Sequence, residues 1–154
     1  MASVNTLCKS VLNVKNTVIK NCNLYSDKNG VKHIRIQARP NKWHENDCPF
    51  CHKSCPVYDK HSSKSTIWRG LDWGGILVEV KYQTHRIICP EHGVSVAEVP
   101  WAYPSSRFTK YFDLTVAWFA SYLPRSTTSY FMRVDWETIG RCVCLLYTSD
   151  AADE

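Results

Sequence analysis

The chain has 154 residues, 44% of them hydrophobic and 21% charged, with a formal net charge of +5. This is a normal globular balance with room for one ordinary domain or two small ones, and the basic excess suits a polyanionic partner. The longest apolar stretch, Leu114 to Leu123, is too short to span a bilayer.

Met1 to Leu7 lacks the pattern of a secretory leader. The expected location is therefore cytoplasmic. The eight cysteines would be reduced there, which favours metal binding over a disulfide framework. Residues 1–16 form a lead with few signals. Thr17–Tyr25 and Val31–Ala38 read as two strands around Asp27-Lys28-Asn29-Gly30, whose Asn-Gly pair predicts a tight hairpin. Ile34, Ile36 and Ala38 share one face of the second strand, and His33, Arg35 and Gln37 the other.

Cys48-Pro49-Phe50-Cys51 follows, and Cys89-Pro90-Glu91-His92-Gly93 repeats its Cys-Pro-x-ligand turn roughly forty residues later. Each turn presents two ligands on one side. Together they supply Cys48, Cys51, Cys89 and His92, a tetrahedral set suited to a structural Zn2+. Cys55 competes as a ligand. Cys8, Cys22 and Cys142 read as small core residues. Between the turns come a polar loop, His61 to Ser65, and a strand at Thr66–Leu71. Trp73-Gly74-Gly75 then turns the chain into a long strand, Ile76 to Tyr82, continuing through Thr84–Ile88. Val94–Val99 is a further strand, and residues 100–106 read as a linker.

The character then becomes helical. Thr109 is positioned as an N-cap, with Phe112, Val116, Phe119, Ala120 and Leu123 on one face and Pro124 as terminator. Ser126 can cap a second helix and Asp135 a third, which carries Trp136, Ile139 and Val143. Trp118 and Trp136 are expected in the core. Three short helices with tight joints predict a helix-turn-helix over 107–143, with Arg125, Arg133 and Arg141 as phosphate contacts. Asp72, Asp113 and Asp135 form no carboxylate set.

Two other chemistries fit parts of the pattern. Cys48-Pro49-Phe50-Cys51-His52 matches covalent haem attachment and would make an electron carrier, but it needs export and leaves Cys89 and His92 unused. A Cys–His nucleophile pair on one tight turn is disfavoured, because such neighbours face apart or share a metal. A freestanding zinc-ribbon regulator is the remaining alternative.

Residues 144–154 break the helical pattern and resemble a translated sequencing-library adapter. They are expected to be a non-native tail, with the natural protein continuing differently. Without their three acids the net charge rises to +8.

Several runs resemble the ISL-three family of insertion-sequence transposases: Trp68 to Gly75, Cys89 to Gly93, Val99 to Ala102, Ser106 to Thr109, Phe112 to Val116, Leu123 to Thr127, and Asp135 to Arg141. The resemblance implies an α+β arrangement: a small β-rich zinc-ribbon-like domain over 17–99, then a truncated helix-turn-helix. It implies zinc on Cys48, Cys51, Cys89 and His92, and double-stranded DNA at the element's terminal inverted repeats as partner. Nucleoid association, and self-association of the full-length protein, are expected alongside that role, and the resemblance implies a catalytic Asp-Asp-Glu domain beyond this chain's end.

Overall fold

The computed structural model describes residues 3–60 and 65–152. The expected polar loop at His61 to Lys64 lies outside the described residues. Helix α1 (Val4–Leu12) opens the chain, followed by β1 (Thr17–Ser26), β2 (Lys32–Pro40), β3 (Val57–Asp59), β4 (Thr66–Arg69), β5 (Leu77–Tyr82), β6 (Arg86–Cys89) and β7 (Gly93–Val96). Helices α2 (Lys110–Tyr122), α3 (Arg125–Met132) and α4 (Trp136–Ala152) complete a mixed α+β arrangement.

The strands form two sheets, β1-β2-β5-β4 and β3-β6-β7. In the larger one, β2 pairs antiparallel with β1 and parallel with β5, and β4 pairs antiparallel with β5. Its inner face carries Ile34, Ile36, Ala38, Val78 and Val80, as alternation on β2 and β5 demands. Helix α1 closes this face with Cys8 and Leu12. Ser3 caps that helix by accepting from the Thr6 amide at 3.2 Å, a start with no counterpart in the sequence pattern above.

Trp101 is fully buried in the same core, edge-on to Trp68 and Tyr82. Trp101 and Ala102 thus lie inside the sheet core, although Pro100 and Pro104 mark their stretch as a linker.

The strand expected to run unbroken from Ile76 to Ile88 is two strands in two sheets. Burial explains the break. Val78 and Val80 face inward on β5, whereas Ile87 and Cys89 do so on β6. One continuous strand cannot switch from even to odd positions without turning its side chains over. The first hairpin also differs from expectation. The Asp27 side chain accepts from the amides of Asn29 and Val31, which widens the turn into a loop from Asp27 to Val31. Gly30 supplies the left-handed position of that loop, at φ +77°.

The three later helices share their own core: Phe112, Val116, Met132, Val134, Ile139 and Cys142. Thr109 caps α2, accepting from the Phe112 amide at 3.4 Å. Helix α3 begins one residue before the expected Ser126 cap, with Pro124 at its N-cap and no side-chain hydrogen bond there. Asp135 accepts from the Thr138 amide at 2.6 Å and so caps α4, which runs on past Val143. Trp118 and Trp136 are 58% and 54% exposed rather than buried. Trp118 stands on the outer face of α2 against Tyr122, and the Arg125 guanidinium lies over the Trp136 ring.

Arg69 ties the sheet to the helices. Its guanidinium donates to the carbonyls of Met132 and Arg133 at the end of α3, both at 2.9 Å. These are carbonyls that a helix end leaves without an internal partner. Asp72 holds Arg133 at 2.5 Å beside it.

Candidate metal centre

The two Cys-Pro-x-ligand turns, far apart in sequence, meet at one end of the smaller sheet. In the first, Cys48 accepts from the His52 amide through its carbonyl, and its own amide donates to the Lys53 carbonyl, both at 2.9 Å. This closes the loop tightly and leaves His52 at φ +60°. The second turn is the β6–β7 hairpin, in which Cys89 pairs with Gly93. Gly93 takes φ +74°, a conformation in which a side chain is strained.

The ligand atoms of Cys48, Cys51, Cys89 and His92 all lie within 4.8 Å of one another. Cys51 Sγ is 3.8 Å from Cys89 Sγ. His92 Nδ1 is 3.5 Å from Cys89 Sγ and 3.8 Å from Cys48 Sγ. A tetrahedral ion with bonds of about 2.3 Å to sulfur and about 2.0–2.1 Å to nitrogen needs S–S edges of about 3.8 Å and S–N edges of about 3.5–3.6 Å. These three separations are close to those edges, and the four residues could hold a metal.

The electrostatics agree with the geometry. The Cys89 thiol is drawn down to about 6, first by the His92 imidazole and then by the backbone N–H groups of Glu91 and His92, against the opposing effect of burial. A sulfur so disposed is readily a thiolate at neutral pH. At Cys51 the Lys53 N–H favours the thiolate, but burial and the neighbouring thiols outweigh it and raise the value.

Cys55 lies beside the cluster but outside the four. Its thiol donates to the Lys53 carbonyl at 3.3 Å, and burial followed by the Cys89 sulfur raises it to about 11. His52, the histidine a haem-attachment motif would use, instead pairs with Glu98 at 2.7 Å. Phe50 tilts against the His92 ring, centroids 5.2 Å apart.

Among known proteins, the chain is similar to an insertion-sequence transposase. Over 143 residues, 92% of this chain, it is 32% identical to "Transposase for insertion sequence element IS1557" of Mycobacterium tuberculosis, with the same figures for strains CDC 1551 / Oshkosh and H37Rv. The chain spans 32% of the length of these curated relatives. No family model matches it, and no solved structure matches it significantly.

Each helical arginine expected to meet phosphate has a partner within the chain. Arg133 is engaged by Asp72, and Arg141 pairs with Glu137 one turn away on α4 at 3.7 Å. Arg125 lies over Trp136, 5.9 Å from the ring centroid. The three aspartates also have structural partners. Asp72 holds Arg133, Asp135 caps α4, and Asp113 is fully buried, accepting from Ser106 Oγ at 2.7 Å and Cys142 Sγ at 3.1 Å. Among the described residues, no helix is long and apolar enough to cross a membrane.

Proposed function

We propose that this chain is the DNA-binding part of an ISL-three-type transposase, organised by a structural zinc ion and directed to the terminal inverted repeats of its element. The observation that carries the reading is the 32% identity, over 92% of the chain, to the IS1557 transposase. The four-ligand cluster supports it from the structure, since soft thiolates with one imidazole at tetrahedral spacing favour zinc.

In this reading zinc closes the small β3-β6-β7 sheet. Helices α3 and α4, joined through the left-handed Arg133, act as the helix-turn-helix, with α4 entering the major groove. Arg125 and Arg141 are the exposed helical cations that would reach phosphate. Strand transfer is the work of a catalytic domain of the longer protein, and this chain alone binds without cutting.

The test is binding of the purified, zinc-loaded chain to labelled duplexes carrying the element's own ends, set against shuffled duplexes. The reading expects tighter binding to the ends, lost on chelation and restored by zinc. Equal affinity for both duplexes, unaffected by chelation, would overturn it.

A further inference from the structure

The outer face of the larger sheet is divided electrostatically. At one end its charges are mutually satisfied: Glu79 accepts from Arg35 at 2.9 Å and meets His33 at 3.0 Å and Tyr25 at 2.9 Å. At the other end the cations have no such partners. There the sheet faces the smaller sheet, which carries the Cys/His cluster, across a groove of about 740 Å3, lined among the described residues by Lys20, Arg39, Lys60, Lys81 and His85 and by a single acid, Glu45.

Strand register builds this convergence. Gln37 lies opposite Lys81, so Lys81 and Arg39 emerge on the same face, away from the Ile36–Val80 core. The β1–β2 register shifts between Ile19 and Asn21, which makes Lys20 the extra residue of a bulge. Bulges re-aim a side chain, and Lys20 joins the other cations in the groove lining. Among the described residues, Lys20, Lys60 and Lys81 have no carboxylate at ion-pair distance, and Arg39 donates only to the Pro40 carbonyl. Elsewhere Arg35, Arg86, Arg133 and Arg141 each have an acid beside them.

A trough of uncompensated cations excludes a cationic or apolar occupant and fits a linear polyanion. We propose that this groove binds the sugar–phosphate backbone of DNA, as a second anchoring surface separate from α3 and α4. The inference rests on the DNA-binding reading above. The groove holds the duplex without reading sequence, because lysine and arginine contacts to phosphate position a protein but do not specify bases.

The experiment uses the full zinc-loaded chain and a short DNA duplex of arbitrary sequence, with Kd followed across a salt series. A K20Q/R39Q/K60Q/K81Q variant should lower the slope of log affinity against log salt by about 3–4, near 0.9 for each phosphate no longer neutralised. A control, K9Q/K15Q/K28Q/K32Q, removes the same charge outside the groove and should change the slope far less. Zinc content and circular dichroism should match the parent in both. If the fourfold groove variant misfolds, the pairs K20Q/K81Q and R39Q/K60Q replace it, each expected to lower the slope by about 2. Equal reductions of slope in groove and control variants, or none in the groove variant while the parent still binds, would overturn the groove and leave the proposed function standing. Failure of the parent itself to bind any duplex at low salt would overturn both.

Discussion

Removing one proposed zinc ligand should unfold the smaller sheet and spare the larger one. Cys89→Ser is the cleanest perturbation, because Cys89 is 3% exposed and approaches both His92 and Cys51. The smaller sheet has strands of 3, 4 and 4 residues. Ordering them costs about 1–2 kcal/mol per residue in backbone entropy, or roughly 11–22 kcal/mol in all. Among the described residues, its core contains only Ile87 and Ala97 apart from the cysteines. Burying Ile87 returns about 1.5–3 kcal/mol. A structural zinc contributes about 10–16 kcal/mol of apparent binding free energy, several times what burial in this small core returns. The larger sheet keeps its own core around Ile36, Val78, Val80 and Trp101. Hydrogen exchange by mass spectrometry separates the two. Amides of β6 and β7, and the Cys48 and His52 amides of the first turn, should lose protection in Cys89→Ser or on chelation. The amides of Ile34, Ile36, Val78 and Val80 should keep theirs. Unchanged protection across β6 and β7 in the metal-free protein would refute the reasoning.

Other outcomes follow from the helical part. Arg69→Ala should destabilise it by about 2–3 kcal/mol, since it removes two charge-assisted hydrogen bonds to the end of α3; Arg69→Lys should recover only part of this, as read by thermal unfolding. Thr109→Ala should cost about 1 kcal/mol by removing the α2 cap, measured by urea unfolding. Burial raises the Asp113 carboxyl above its ordinary value of 3.8, against hydrogen bonds from Ser106 and Cys142. The native helices therefore bind that proton more tightly than the unfolded chain. Their stability should fall as pH rises from 3.8 through the raised native value, and this dependence should vanish in Asp113→Asn. Exchange protection of α2 and α4 across a pH series reads it apart from the metal site.

The Cys48, Cys51, Cys89 and His92 cluster was legible because the chemistry is local. Each turn brings its pair together within four residues, and a reduced, cysteine-rich chain limits what they can do. Helix α2 was legible through Thr109 and the apolar spacing from Phe112 to Val116. Helix α1 was not, because only Cys8 and Leu12 of its face are buried and its cap is a lone serine near the start. The separation of β5 from β6 was written in the parity of buried positions, but Ile88 hides it by being apolar and 41% exposed. The burial of Trp101 has no local signal, because flanking prolines describe backbone direction and say nothing of a side chain turned inward. The cationic groove depends on a bulge at Lys20 and on pairing between distant strands, which no local pattern contains.

Metal stoichiometry tests the central claim most directly. The purified chain should carry one zinc ion by elemental analysis, Cys55→Ser should retain it, and Cys48→Ser, Cys51→Ser, Cys89→Ser and His92→Ala should each lose most of it. A parent protein without metal, or a Cys55→Ser variant that loses zinc while His92→Ala keeps it, would contradict the account.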